Sequence, residues 1–143
     1  MARIKIDPPA AFHFSAKIPV RITDLNYGSH VGNDAILSII HEARMQFLAY
    51  HGYTEMQFAG VGMIMSDVGI EFKSELFYGD TVIASVMAAE FSKVGFELYY
   101  LLEKESRGKK TTVALAKTGM ICYDYEKKKI AALPEEAKGK LNH

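Results

Sequence analysis

Three polar side chains that can act on a carbonyl group lie within seven residues, at Asp24, Asn26 and His30. Gly28 separates them, and Gly32 follows before a long apolar segment with helical spacing. A carboxylate or an imidazole can take a proton from water, and an amide can donate to an oxygen that gains negative charge. Backbone amides at a helix start lack intrahelical partners and can polarise an acyl oxygen. The pattern therefore predicts a site for attack on a carbonyl group.

A strand and a helix are predicted to position these residues. Residues 12–22 alternate between apolar and polar side chains, which predicts a strand that ends beside Asp24. Residues 33–51 have apolar residues over most of a helical circumference, so we expect this helix to be buried on several sides. Gly52 is a stop signal for it. The predicted apolar side consists of Ala35, Ile36, Ile39, Ile40, Ala43, Phe47 and Tyr50, and Leu37, Met45 and Leu48 add to it.

Four further strands are predicted after the helix, at about residues 61–74, 80–91, 95–104 and 111–125. The links at residues 92–95 and 106–109 are short, which favours hairpins and therefore an antiparallel sheet. Residues 134–141 predict a short terminal helix or a frayed tail. The order of elements is α+β, and the length predicts a single domain over residues 1–143, with a core at about 10–125 and a tail at 126–143.

The composition restricts the function classes. Lysine plus arginine equals aspartate plus glutamate at 17 each, so no overall charge attracts nucleic acid or an anionic membrane. The single cysteine, Cys122, excludes an internal disulfide and a multi-cysteine zinc site, and we expect it in the core. The first residues lack the apolar region of a signal peptide, and no segment approaches the roughly 20 apolar residues that span a bilayer. We therefore expect a soluble cytoplasmic protein with no metal, organic cofactor, nucleic-acid partner or membrane partner.

Residues 21–44, which read RITDLNYGSHVGNDAILSIIHEAR, resemble the hot-dog-fold thioesterases of the 4-hydroxybenzoyl-CoA thioesterase type. Members of that family commonly have a strand, then Asp-x-Asp-x-x-Gly-His-Val-x-Asn, then a helix with an acid, an alanine and an arginine. The matching positions here are Asp24, Asn26, His30, Val31, Asn33, Glu42, Ala43 and Arg44. Residues 66–86 resemble the family's next strand, its Gly-Asp turn and the following strand, and the resemblance covers about residues 10–125.

The resemblance implies a hot-dog fold, in which a curved antiparallel sheet wraps around one long central helix. It also implies hydrolysis of an acyl-CoA or acyl-carrier-protein thioester to a free acid and a thiol. Family members form homodimers or homotetramers with sites at subunit interfaces, so we expect self-association. The catalytic candidates are Asp24, Asn26 and His30. The substrate-binding candidates are Val31, Gly32, Asn33, Asp67, Lys73 and Lys93, of which the lysines match places where relatives hold the phosphates of coenzyme A.

Position 26 departs from the family pattern, because many relatives have a catalytic acid there. An amide is not a base, so Asn26 can orient water or hold the thioester oxygen, and another group must take the proton. The candidate bases are Asp24, His30, Asp34, Glu42 and Asp67, or a residue of a partner subunit, and Asp24 and His30 are the first choices.

Several of these polar residues also have a structural interpretation. His30 can be a loop residue bonded to a helix terminus, and Asp24 can shape a turn. Asn33 or Asp34 can cap the helix, and Glu42 and Arg44 are explained by a buried or interfacial ion pair.

Two other functions stay open. One is a non-catalytic acyl-CoA binding or assembly module, which Asn26 favours, and the other is a hot-dog-fold hydratase or dehydratase, whose usual histidine signature is missing.

Overall fold

The computed structural model describes residues 3–142, which form six β-strands and two α-helices. In chain order these are β1 (Phe14–Pro19), α1 (Asn33–Tyr50), β2 (Gly62–Phe72), β3 (Thr81–Ala89), β4 (Gly95–Ser106), β5 (Lys109–Asp124), β6 (Lys129–Ile130) and α2 (Glu135–Leu141). One turn of 3-10 helix, Ile22–Asp24, joins β1 to the loop before α1. The predicted helix and strands are confirmed, and the terminal segment forms a helix.

The sheet is antiparallel, with the order β1-β3-β4-β5-β2 and with β6 beside β5. β1 and β2 lie at the two ends of this order, so α1, which connects them in sequence, crosses one face of the sheet from edge to edge. The register shifts between Met65 and Asp67 on β2 and between Leu102 and Glu103 on β4, and such bulges increase local twist. A curved antiparallel sheet with one long helix packed against it confirms the predicted hot-dog fold.

The core lies between α1 and the face of the sheet that α1 crosses. On α1, Ile40, Ala43 and Leu48 have no exposed surface. Alternate residues of β4 turn toward them, because successive side chains of a strand point to opposite faces. The inward residues of β4 are Phe96, Leu98, Tyr100 and Leu102, all at most 3% exposed.

The outer side of α1 is more exposed than its sequence predicts. Tyr50 is 73% exposed, Leu37 is 38% exposed and Met45 is half-buried, whereas the other residues of the predicted apolar side are buried. The sheet covers one side of the helix, and no other part of residues 3–142 encloses the opposite side. The expectation of burial on several sides is therefore wrong for this face within one chain.

A second, smaller apolar cluster lies on the opposite face of the sheet. The segment before β1, residues 4–12, is called the N-terminal strap here. Its Ile6 is buried with Met87 and Tyr99, and Phe12 packs against the same cluster. Met87 and Tyr99 alternate with core residues along their strands, which places this cluster on the face away from α1.

Candidate active site

The residues before α1 form a closed loop at positions 24–32. Leu25 and Val31 form an isolated antiparallel bridge. The Asn26 amide donates to the His30 carbonyl at 2.8 Å, and the Ser29 amide donates to the Asn26 carbonyl at 3.1 Å. Ser29 has a φ of 68°, a conformation that is uncommon for a residue other than glycine. The closed backbone fixes where the side chains at positions 26 and 30 point.

The side chains of Asn26 and His30 converge beside Gly28. A Cβ built on Gly28 would lie 3.2 Å from Asn26 Oδ1 and 3.3 Å from His30 Nε2. The Gly28 amide donates to Asn26 Oδ1 at 2.8 Å, which leaves the Asn26 amino group as a donor. His30 Nδ1 lies 3.3 Å from the Val31 carbonyl oxygen, and because a carbonyl only accepts, this contact places the ring proton on Nδ1. Neutral His30 therefore has its lone pair on Nε2, the ring nitrogen that lies beside Gly28.

Asp24 is buried, and its carboxylate is already bound. Its side chain is 5% exposed. The Arg21 amide donates to Asp24 Oδ2 at 2.8 Å, and the Arg21 guanidinium donates to Oδ1 at 3.1 Å. Asp24 lines a cleft between β1 and α1, whereas His30 lines a different cleft. These contacts support the interpretation of Asp24 as a residue that shapes the turn, and its catalytic role stays a prediction.

The start of α1 is not capped by a side chain of any described residue. Gly32 occupies the cap position, so the expectation that Asn33 or Asp34 caps the helix is wrong. A Cβ on Gly32 would lie 2.6 Å from Asp34 Oδ1 and 3.5 Å from Asn26 Cβ. Residue 32 must therefore lack a side chain for the side chains of Asp34 and Asn26 to approach the helix start.

The backbone amides at the helix start differ in their availability. The Val31 amide donates to the Leu76 carbonyl at 2.9 Å, and the Gly32 amide donates to the main chain of the preceding turn at 3.2 Å. The amides of Asn33 and Asp34 have no hydrogen-bond partner within residues 3–142. Of the substrate-binding candidates Val31, Gly32 and Asn33, only Asn33 thus keeps a backbone amide that is free to donate, and the amide of Asp34 is free as well.

A cleft of about 260 Å³ opens between the start of α1 and the segment after β2. Four of the predicted site residues line it, namely His30, Val31, Asn33 and Lys73. Lys73 Nζ lies 2.7 Å from Glu71 Oε2, and 46% of the lysine side chain remains exposed. The cleft therefore combines an imidazole, a helix start and an ammonium group. The other lining residues are Ile36, Phe72, Ser74, Glu75 and Leu76.

Asp67 and Lys93 do not join this group. Asp67 is exposed beside a bulge of β2, where it pairs with Gly119, and it lines a separate cleft with Glu90. Lys93 lies in the turn between β3 and β4, and its carbonyl accepts from the main chain after β6 at 2.8 Å. Within this chain, both are separated from the cleft beside His30, and their substrate-binding role stays a prediction.

A polar network around the buried Arg44 was not foreseen from the sequence. Arg44 is 4% exposed. Its Nε donates to Glu55 Oε2 at 2.9 Å, and its Nη1 donates to the Tyr100 hydroxyl at 3.2 Å. His41 Nε2 lies 2.8 Å from the other oxygen of Glu55. Burial raises the pKa of Glu55, but the hydrogen bond with His41 and the charge of Arg44 outweigh it, so the pKa lies below its usual range.

This network corrects one expectation about α1. Arg44 does form a buried ion pair, but its partner is Glu55 and not Glu42. Glu42 is exposed and accepts from Gln46 Nε2 at 2.7 Å. Arg44 and Glu55 are eleven positions apart, and α1 ends between them, so helical spacing gives no signal for this pair.

Other chemistries gain no group from the described residues. Burial raises the pKa of the Cys122 thiol to about 11, which makes it an inert core residue. No three histidine, cysteine or acidic side chains between residues 3 and 142 are placed to hold a metal ion. Neither helix of that range is long and apolar enough to cross a membrane.

Comparison with known proteins identifies a family. The model of the thioesterase-like superfamily matches residues 20–141. A 1,4-dihydroxy-2-naphthoyl-CoA thioesterase from Synechocystis has a TM-score of 0.79 and 18% identity, over 90% of this chain and 95% of that chain. A mutant of 4-hydroxybenzoyl-CoA thioesterase, in complex with 4-hydroxybenzoyl-CoA, has a TM-score of 0.81 and 12% identity, over 90% and 97%. A hypothetical protein from Aquifex aeolicus has a TM-score of 0.79 and 24% identity, over 90% and 99%. No curated protein sequence matches.

Proposed function

The chain belongs to the thioesterase-like superfamily, and from that premise we propose that it hydrolyses the thioester of an acyl-CoA or acyl-carrier-protein substrate to a free acid and a thiol. The observation that carries the proposal is the convergence of Asn26 and His30 beside Gly28, together with a cleft that His30 and the uncapped helix start both line. The names of the similar structures, which include coenzyme A thioesterases, support the substrate class.

His30 is the general base in this proposal. Its Nε2 lone pair takes a proton from water as the water oxygen bonds to the thioester carbon. The carbon–sulfur bond then breaks, and the proton passes from His30 to the leaving sulfur. The contact of Nδ1 with the Val31 carbonyl keeps the ring in the tautomer that can accept the proton.

The negative charge on the thioester oxygen is stabilised by donors beside His30 and at the start of α1. The Asn26 amino group is available because Gly28 fixes the amide oxygen, and the amides of Asn33 and Asp34 have no partner among residues 3–142. Donors aimed at a developing oxyanion act most strongly where water is excluded, and one such donor contributes about a hundredfold or more in rate. Asn26 thus works as a donor and not as a base.

The remaining predicted residues have binding or structural roles. Asp24, held by Arg21, fixes the start of the loop. Val31 and Gly32 form the backbone wall next to the thioester, and Lys73 faces an anionic part of the substrate. Asp67 and Lys93 contact a substrate that extends beyond the cleft. No cofactor is needed for this reaction, and the cytoplasmic location belongs to the same proposal.

Self-association through β2 completes the proposed assembly. β2 ends the strand order, so one edge of it is unpaired by residues 3–142. Exposed apolar side chains follow this strand, namely Ile64, Met65, Val68 and Phe72, each at least 38% exposed. An edge of this kind is a template for pairing with another strand, and a second copy of β2 satisfies it symmetrically. We therefore expect a homodimer, or a homotetramer built from such dimers.

Thiol release from a panel of short, medium, long and aromatic acyl-CoAs, and from an acylated carrier protein, tests the function. We expect turnover of one substrate class by the purified chain. His30→Gln and Asn26→Ala should each lower kcat about a hundredfold or more. His13→Gln is the matched control, because His13 is exposed and lines a different cleft. A full rate in His30→Gln would remove His30 from the mechanism, and no thiol release from any substrate would refute hydrolysis.

A non-catalytic acyl-CoA binding module is the second candidate, and Asn26 favours it because many relatives have an acid there. This alternative predicts tight binding of acyl-CoA without thiol release from the native chain. It also predicts that Asn26→Asp gains turnover, because the change restores a carboxylate next to His30. Turnover by the native chain that Asn26→Asp does not exceed would exclude the binding module.

A further inference from the structure

The N-terminal strap lies against the sheet, and Ile6 is its most buried residue. The family match begins at residue 20, after the strap. Ile6 is 7% exposed and packs with Met87 and Tyr99, whereas Ile4 is 60% exposed. The Ile6 amide also donates to Glu71 Oε1 at 3.1 Å. Burial of Ile6 against β3 and β4, packing of Phe12 on the same cluster and one hydrogen bond to β2 therefore hold the strap on the sheet.

Glu71 connects the strap to the cleft. One of its carboxylate oxygens accepts from the Ile6 amide, and the other lies 2.7 Å from Lys73 Nζ. Lys73 lines the cleft together with His30 and Asn33. The Lys73 ammonium and the Ile6 amide hold the pKa of Glu71 below its usual range, so the carboxylate stays charged near neutral pH. The strap therefore holds the Glu71 carboxylate in place, and that carboxylate in turn holds the Lys73 ammonium group.

We propose that the N-terminal strap, acting through Glu71, positions Lys73 to bind a phosphate group on the thiol carrier of the substrate. An ammonium group has three donors, and Glu71 uses one of them, so two remain for a phosphate. A lysine side chain has many rotamers, and a side chain that is held before binding loses less entropy when the ligand arrives. The strap therefore raises affinity without contacting the substrate, and Lys73 and Ile6 are positioning and binding residues, not catalytic ones.

This inference rests on the proposed function, and kinetics with two esters of the same acyl group test it. One ester is the acyl-CoA, and the other is the acyl-pantetheine, which lacks phosphate. Ile6→Asp releases the strap from its apolar cluster. We expect it to raise KM for the acyl-CoA about tenfold, the effect of losing one charged contact, with kcat and the KM for the acyl-pantetheine unchanged. Ile4→Asp makes the same charge change at an exposed position of the strap and should leave both KM values unchanged.

Two further variants separate positioning from general damage to the fold. Glu71→Gln keeps Ile6 in place but weakens the link to Lys73, so it should raise KM for the acyl-CoA even if Ile6→Asp fails to fold. Lys73→Gln should raise the same KM, and combining it with Ile6→Asp should add nothing, because both act on one contact. Equal effects on the two esters, or additive effects in the combined variant, would overturn the inference.

The outcome is distinguishable from failure of the proposed function. If the native chain hydrolyses neither ester, the thioesterase proposal fails, and calorimetric binding of coenzyme A and of pantetheine replaces the kinetics. About tenfold weaker binding of coenzyme A, but not of pantetheine, by Ile6→Asp would still support the strap. Unchanged binding of coenzyme A in Ile6→Asp and Glu71→Gln would refute it.

Discussion

Replacing Glu55 with glutamine is expected to lower the free energy of unfolding by about 2 kcal/mol at pH 7. Removing one partner of a buried ion pair costs about 3–5 kcal/mol, because it leaves a buried charge without compensation. Arg44 is the buried partner here, with its side chain 5% exposed, but Glu55 is 22% exposed and water partly replaces it. Glutamine also keeps an oxygen that accepts from Arg44 Nε. The expected cost therefore lies below that range, at about 2 kcal/mol.

The pH dependence of this difference tests its cause. The pKa of Glu55 is lower in the folded chain than its ordinary value of 4.5. A carboxyl with a lowered folded pKa stabilises the fold above its unfolded pKa, and the stabilisation is lost as the pH falls through the folded pKa. The difference between the native chain and Glu55→Gln should therefore be complete at pH 7 and shrink in acid below about pH 4.

Urea denaturation followed by circular dichroism, at one protein concentration, measures both quantities. Glu42→Gln is the matched control, because Glu42 is exposed and bonds to Gln46 on the helix surface. It should change the free energy of unfolding by less than about 0.5 kcal/mol. The reasoning is refuted if Glu55→Gln is as stable as the native chain at pH 7, or if its deficit is the same at pH 3 as at pH 7.

Three further outcomes are expected. Because burial raises the pKa of Cys122 to about 11, its thiol should not react with a thiol reagent at pH 8 until urea unfolds the chain, and rapid reaction of the folded chain would contradict this. Tyr53→Phe should cost about 1 kcal/mol in urea denaturation by removing the 2.6 Å bond to Glu136. Burial, with Glu136, raises the pKa of Tyr53 to about 12, so this difference should be complete below pH 10 and vanish as the pH rises through 12. Val68→Asp on β2 should convert an oligomer to a monomer in light scattering, whereas Ile130→Asp, at an exposed position off β2, should not, and a monomeric native chain would refute the β2 interface.

The fold was largely predictable because its elements are long and periodic. α1 and the four strands after it repeat apolar residues with clear helical or alternating spacing, and the short links between strands leave only antiparallel pairing. Exposure was less predictable. Tyr50 and Leu37 fit the apolar periodicity of the helix but are exposed. Periodicity predicts which side chains share a face of the helix, and it does not predict whether another surface covers that face.

The candidate site was predictable where it is local. Asn26, His30 and the helix start are close in sequence, so their grouping needs only one loop. The proton position on His30 and the occupied amide of Val31 depend on atoms that only coordinates place. Sequence reasoning missed Glu55 as the partner of Arg44, because the chain turns between them and no spacing rule spans that turn.

The hydrogen bond from the Val31 amide to the Leu76 carbonyl joins two segments of different kinds. One segment contains the proposed reacting groups, and the other, residues 72–76, contributes Lys73 and further lining residues to the same cleft. Substitutions in the second segment can change the shape of the cleft while the main-chain bond keeps it in register with the loop. Substrate preference can therefore diverge among descendants of this chain without loss of the proposed chemistry, and a library restricted to Phe72, Ser74 and Glu75 is the natural starting point for redirecting it.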